Sequence, residues 1–150
     1  DFLFFNKLYT VEIMEDYIVD IENSDRAVGW MIRQIFDSAQ EQKWYVAMSS
    51  LFMLVEQVLR WSTDIEDDKK LKEIIESAFE QNMVNDGERE VLHQMRGYRN
   101  KYMHSNFHGN AFEIGGLLYP VNDAETAEKI FEILSEPLLK IIAKLSKTNL

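Results

Sequence analysis

Several features that proteins commonly use for stability or chemistry are missing from this chain of 150 residues. It has no cysteine, which excludes disulfide frameworks, thiolate zinc sites and cysteine nucleophiles. No apolar run approaches the roughly 20 residues that a membrane-spanning helix requires. The opening residues 1–5 lack both the basic flank and the length of a signal peptide. We therefore expect a soluble, cytoplasmic protein with no membrane segment.

Basic residues are also scarce, since 16 Lys and Arg stand against 26 Asp and Glu for a formal net charge of −10. Proteins that hold nucleic acid through a broad basic face depend on neutralising phosphates, so this charge argues against such a face. The charges are unevenly distributed, however. Residues 64–90 contain ten acids and four bases, whereas residues 91–108 contain three bases, three histidines and no acid. The chain thus has one local cationic window, residues 91–108.

The apolar residues are sufficient for a core. They make up 46% of the chain and include nine Phe, six Tyr and three Trp. A chain of this length buries about two-thirds of the surface that its unfolded form exposes. We therefore predict a single domain over residues 1–150.

The spacing of these apolar residues indicates helices. They recur three and four positions apart, as on the buried face of an amphipathic helix. The predicted fold is all-α, an up-and-down bundle of about five to six helices. The predicted helices cover residues 8–22, 26–41, 42–62, 69–83 and about 85–105, and a last one follows a cap formed by Asn122 and Glu125.

The breaks between the predicted helices are short. Asn23, Ser24 and Asp25 are expected to form a cap and turn between the first two helices. Before the last helix, the glycines at 109, 115 and 116 and the proline at 120 predict a loop with one short extended pair. No internal repeat or low-complexity tract interrupts this pattern.

One acid lies at the edge of an apolar stripe. Glu56 falls between Phe52 and Leu59 on the helix predicted over residues 42–62. A carboxylate at the border of a core is costly unless a cation pairs with it. We expect Glu56 to be partly buried and to contact either Arg99 or another base on the same helix as Arg99.

The helix in the cationic window begins at Asn85 or Asp86, where Asn85 and Glu88 form a predicted capping box, and ends near His104. Its side chains divide into an inward and an outward set. The inward set is Val91, Met95, Tyr98 and Tyr102, and the outward set is Arg96, Asn100 and Met103, with Arg99 and His104 on either flank.

The six residues from Arg99 to His104, Arg-Asn-Lys-Tyr-Met-His, match the Arg-x-x-x-x-His motif of the HEPN superfamily, in its common form with Asn after Arg. The chain resembles this family in the motif helix and in its helical-bundle pattern. The resemblance implies a metal-independent ribonuclease that acts as a homodimer. It further implies that Arg99 and His104 are catalytic, that Asn100 supports them, and that Glu56 is the acid facing the motif from another helix.

The chemistry of these residue types fits that implication. Metal-free RNA cleavage requires a group that titrates near neutrality and a fixed cation for the phosphate, and His104 and Arg99 supply these. We expect cleavage of single-stranded RNA to a 2′,3′-cyclic phosphate, with no metal or cofactor. Arg96, Lys101 and His108 are expected to support RNA binding.

Since each chain has one motif histidine, a symmetric dimer would supply a second proton donor or acceptor. The expected partners are therefore RNA and a second copy of the chain. The HEPN resemblance adds toxin–antitoxin pairs and phage defence as settings, with an antitoxin or another regulatory protein as a further partner.

Several alternatives remain for the same residues. The bases could complement the negative end of the helix dipole, or Arg99 could pair with Glu56 only to hold two helices together. The domain could also be a non-catalytic module that dimerises or binds a protein or nucleotide. His104 and His108 have a spacing seen in zinc sites, and Glu90 with His93 matches half of a di-iron motif. The zinc interpretation lacks a neighbouring acidic ligand, and the di-iron interpretation lacks a second copy of the Glu-x-x-His motif.

Overall fold

A computed structural model of the chain describes residues 14–66, 68–104 and 110–148, and the side chain of His104 lies outside this description. The described residues form six helices and one β-hairpin, which confirms the all-α prediction. The helices are α1 (residues 14–24), α2 (Arg26–Gln40), α3 (Trp44–Thr63), α4 (Leu71–Glu80), α5 (Asp86–His104) and α6 (Ala124–Thr148).

The predicted boundaries are correct for some helices and wrong for others. The first helix was expected from residue 8, and residues 8–13 lie outside the described residues. Asn23 and Ser24 belong to α1 rather than to a turn, so only Asp25 separates α1 from α2. Its side chain accepts a hydrogen bond from the Val28 amide at 3.1 Å, which caps α2. The fourth helix is shorter than predicted, because residues 81 and 82 form a turn in which Asn82 has a φ of 59°.

The cap of the last helix was assigned one residue too early. The carboxylate of Asp123, not the side chain of Asn122, accepts a hydrogen bond from the Glu125 amide at 3.1 Å. Both residue types are good N-caps, so sequence preference alone does not separate two adjacent candidates. The hydroxyl of Thr126 donates to the Pro120 carbonyl and ties this end of α6 to the hairpin.

The core centres on α3, which packs against α2, α4 and α6. Six apolar residues at the three- and four-residue spacing that predicted this helix are buried, namely Met48, Leu51, Phe52, Val55, Val58 and Leu59. The largest fully buried side chains of α3 and α6 are Met48, Leu51, Leu59, Ile130, Leu134 and Leu138. Removing this apolar area from water supplies the main driving force for the fold.

The short extended pair predicted before the last helix is present. β1 (Ala111–Ile114) and β2 (Leu117–Pro120) pair antiparallel, with Phe112 opposite Tyr119. Gly115 and Gly116 make the two-residue turn with φ values of 60° and 82°, which glycine adopts readily. Phe112 is buried and packs against Tyr98 and Tyr102, at ring-centroid distances of 5.2 and 5.3 Å, so the hairpin is fixed on α5.

None of the helices in the described ranges is both long and apolar enough to cross a membrane. α5 in particular carries charged and polar residues along most of its length.

Alanine substitutions at two helical glycines should change the free energy of unfolding in opposite directions. A Cβ at Gly97 on α5 would meet no atom within 4 Å, so Gly97→Ala should raise the free energy of unfolding by about 0.5–1 kcal/mol. A Cβ at Gly29 on α2 would lie 2.5 Å from Cγ of Glu22 on α1, so Gly29→Ala should lower it by roughly 1–3 kcal/mol. Urea unfolding of both variants tests the pair, and equal shifts would contradict the close packing of α1 on α2.

Candidate functional site

The motif helix α5 is buried on a face that differs slightly from the predicted one. Met95 and Tyr102 are buried as expected, but Leu92 is also fully buried and was not predicted. Val91 and Tyr98 are only half-buried. The inward face is therefore rotated toward Leu92, because α5 packs against α4 and α6 as well as α3. This rotation brings Arg99 toward α3.

The predicted contact between Glu56 and the motif helix is confirmed. Nη2 of Arg99 lies 3.1 Å from Oε2 of Glu56, and the Glu56 side chain is only 15% exposed. The other carboxylate oxygen accepts from Nη2 of Arg60 at 2.9 Å. Arg60 was missed at the sequence level, although its position four residues after Glu56 on the same helix is a standard signal for an ion pair. One carboxylate therefore joins a base on its own helix to a base on α5.

Arg96 and Asn100 do not project fully into solvent as predicted. Both are half-buried, and the rotation of α5 toward Leu92 places Arg96 at the flank of the packed face. Nε of Arg96 is buried and has no hydrogen-bond partner among the residues that the structure describes. Met103 is exposed, as predicted.

Lys101 is occupied by the hairpin. Its Nζ donates to the Ala111 carbonyl at 2.7 Å and lies 5.0 Å from the centroid of the Phe112 ring. A role of Lys101 in RNA binding would have to use the remaining N–H donors of its ammonium group, which has three, or replace these contacts.

The structure describes the two predicted site histidines, His104 and His108, to different extents. His104 is the last residue of α5, five residues after Arg99, while its side chain lies outside the described residues. His108 lies outside them entirely. The roles of both histidines therefore stay predictions.

Tyr102 lies inside the motif and belongs to the core. Its ring packs on Tyr45 of α3 at 5.8 Å between centroids and on Phe112 at 5.3 Å. Burial raises the pKa of Tyr102 to about 12, with a smaller electrostatic contribution from Tyr45. A hydroxyl with a pKa this far above neutrality is a poor candidate for proton transfer, and the ring contacts show that Tyr102 packs α5 against α3 and the hairpin.

A second ionic cluster holds the N-terminal half of α5 against α4. Glu76 accepts from Nη2 of Arg89 at 2.6 Å and contacts Nε2 of His93 at 2.8 Å. Hydrogen bonds from Arg89 first, and from His93 second, hold the pKa of Glu76 below its usual range. Arg89 also lies over the Phe79 ring at 4.4 Å.

This cluster bears on the metal-binding alternatives. His93, the histidine of the Glu-x-x-His match, contacts Glu76 on α4. Among the side chains described, no three His, Cys, Asp or Glu residues are grouped so that they could hold a metal ion. The di-iron reading therefore finds no support in the described residues, and the pairing of His104 with His108 lies outside them.

Comparisons of the chain with protein-family models, with curated proteins and with solved structures found no match. The features that indicate a function are therefore the motif itself and the contacts that its residues make.

The Glu56–Arg99 contact should be measurable as a coupling energy. In a double-mutant cycle with Glu56→Gln and Arg99→Met, we expect about 1 kcal/mol of coupling in the free energy of unfolding, decreasing in 1 M salt. The exposed Glu41–Lys43 pair, at 2.7 Å, is the matched control and should show weaker coupling, because water screens both of its charges. A Glu56–Arg99 coupling no larger than the control would show that the contact does not hold α3 to α5.

The Glu76 cluster should contribute to acid stability. Because the folded-state pKa of Glu76 is lowered, its contribution is present above about pH 4.3, the ordinary value for Glu, and is lost as pH falls through the folded-state pKa. The wild-type free energy of unfolding should therefore fall more steeply below that pH than that of a Glu76→Gln variant. Urea unfolding at several pH values measures both slopes, and parallel curves would contradict the prediction.

Proposed function

We propose that this protein is a metal-independent endoribonuclease of the HEPN type, which cleaves single-stranded RNA. The observation that carries the proposal is the Arg99–Glu56 contact, which holds the motif arginine at a defined position near the end of α5. His104 ends the same helix, at the motif spacing from Arg99.

The position of Arg99 suits a phosphate-binding role. Its side chain is 29% exposed, so it is neither fully solvated nor sealed in the core. Glu56 engages one terminal nitrogen, and a guanidinium has five N–H donors with which to bind carboxylate and phosphate together. A cation held in place before the substrate binds stabilises developing phosphate charge without reorganising in the transition state.

In the proposed reaction, the 2′-hydroxyl of the RNA attacks the adjacent phosphorus and the 5′-oxygen of the next nucleotide leaves. The product is a 2′,3′-cyclic phosphate. His104 takes or gives the proton, Arg99 binds the scissile phosphate, and Asn100 orients His104. A second copy of the chain supplies the second histidine, so the proposed active form is a homodimer.

The proposed setting is a toxin–antitoxin pair or phage defence, with an antitoxin or other regulatory protein as partner. The motif resemblance supports this setting, and the acidic surface is compatible with a basic protein partner.

A non-catalytic interaction module is the second candidate. The observation that favours it is the same Glu56 carboxylate, which already compensates the charge of Arg99. On this reading, the ion pair only joins α3 to α5, and exposed apolar residues such as Met53 and Met103 contact a partner.

The test is cleavage of a single-stranded RNA by the purified protein, with 10 mM EDTA present to remove metal ions. We expect His104→Ala to lower the rate by about 10²–10⁴-fold through the loss of proton transfer, with little change in stability. Arg99→Ala should also abolish cleavage. The product should carry a 2′,3′-cyclic phosphate, which mass spectrometry identifies.

The matched control is His93→Ala. His93 lies on the same helix as the motif, but its side chain contacts Glu76 of α4. This variant should cleave at the wild-type rate under conditions where it remains folded. A folded His104→Ala protein with the wild-type rate would exclude the ribonuclease assignment and favour the interaction module.

A further inference from the structure

The carboxylate that holds the motif arginine is shared with a second arginine. Oε1 of Glu56 accepts from Nη2 of Arg60 at 2.9 Å, whereas Oε2 lies 3.1 Å from Nη2 of Arg99. The two guanidinium groups therefore bind different oxygens of one carboxylate. A carboxylate held at both oxygens cannot turn without losing a charge-assisted contact, so the position of Arg99 depends on Arg60 as well as on Glu56.

Arg60 has a further contact that is independent of Glu56. Its Nη2 also donates to the carbonyl oxygen of Lys69 at 2.8 Å, in the connection that leads into α4. Leu71, two residues later, begins α4 and is buried, so the backbone here is held close to the core. Arg60 is therefore supported at a second point, which a simple ion pair between two surface side chains lacks.

The three side chains of this group are largely removed from water. Arg60 is 25% exposed, Glu56 15% and Arg99 29%. Charges in such a position are screened less than surface charges, so their contacts restrict the side chains more strongly. Because Arg60 already restricts Glu56, Arg99 binds to the carboxylate at a lower cost in side-chain entropy.

One carboxylate cannot neutralise two guanidinium groups. Two arginines and one glutamate give the group a net charge of +1, and Glu56 is the only acid on α3. On α5, no acid follows Glu90. If Glu56 were paired with Arg99 alone, the pair would be neutral. Because Arg60 shares Glu56, the group keeps a positive charge with which Arg99 can attract a phosphate.

We propose that Arg60 is a positioning residue, which acts through Glu56 to order the guanidinium of Arg99 for the scissile phosphate. In this role Arg60 does not contact the RNA. The inference takes the reaction from the proposed function, whereas the ordering of Arg99 rests on the contacts of Arg60 and Glu56.

Steady-state cleavage of a single-stranded RNA by Arg60 variants is the first test. Arg60→Met removes the cation, and it should lower kcat roughly 10–100-fold while KM changes less than about twofold. A displaced Arg99 stabilises the transition state less, whereas the other contacts to the RNA remain. A residue that only bound the RNA would raise KM instead. Arg60→Lys keeps a cation beside Glu56 and should recover most of the lost kcat.

Side-chain NMR of the ¹⁵N-labelled protein measures the ordering of Arg99 without any cleavage. The Nε–H signal of Arg99 is identified by its absence from the Arg99→Met spectrum. Its order parameter should fall in Arg60→Met, because Glu56 is then held by one cation only, and Arg60→Lys should restore it. A purely structural role of Arg60 would change the stability of the fold and leave this local order parameter unchanged in the folded protein.

The matched control is Arg33→Met. Arg33 joins α2 to Glu22 of α1 at 2.7 Å and is 36% exposed, so its substitution also removes an ion pair between two elements, at a distance from the motif helix. It should leave kcat and the Arg99 order parameter unchanged under conditions where the variants remain folded. Equal effects of Arg33→Met and Arg60→Met, or an unchanged Arg99 order parameter in folded Arg60→Met, would overturn the proposal.

The two readouts separate this inference from the proposed function. A wild type that cleaves no RNA, together with an Arg99 order parameter that falls in Arg60→Met, would support the ordering and contradict the ribonuclease. An active wild type whose kcat and Arg99 order parameter are both unaffected by Arg60→Met would do the reverse.

Discussion

The carboxylate of Glu56 lies where the central helix meets the motif helix, and two arginines share it. Arg60 belongs to the same helix as Glu56, whereas Arg99 comes from α5, so the carboxylate converts a local ion pair into a link between helices. Since Glu56 is largely removed from water, the loss of both cations would leave a costly buried charge. Together with the packing of α5 on α4 and α6, this requirement restricts the rotation of α5 about its axis and, with it, the position of the motif.

α5 is held on its other sides as well. Glu76 binds Arg89 and His93 from α4, Lys144 of α6 donates to Glu88 at 2.7 Å, and the hairpin covers Tyr98 and Tyr102. A helix supported in this way presents its final turn in a defined orientation, which a catalytic site requires. The same rigidity would also suit an ion pair whose only role is to join α3 to α5. The contact geometry therefore fits both the ribonuclease and the interaction module. The two hypotheses differ in whether His104 transfers a proton.

The sequence predicted the helices best where strong local signals coincide. The reciprocal capping box of α5 is present, with the Glu88 amide donating to Asn85 at 2.9 Å and the Asn85 amide donating to Glu88 at 2.8 Å. Prediction was weaker where two neighbouring residues offer the same chemistry, as at the cap of α6, where Asp123 serves instead of Asn122. The inward face of α5 was also partly wrong, since Leu92 is buried and Val91 only half-buried. Four apolar positions define a helix face only to within about one residue's rotation.

What the sequence by itself determined is the helical class, the hairpin before the last helix and the need of Glu56 for a cation, because each follows from period, turn residues or desolvation cost. Only the tertiary structure decided which cations Glu56 binds and that Lys101 belongs to the hairpin. It also decided that Val46, Met53 and Trp61 of α3 stay exposed although the same helix supplies much of the core. These outcomes depend on how helices far apart in the chain approach one another, and an amphipathic pattern specifies that a face is buried without specifying against which neighbour.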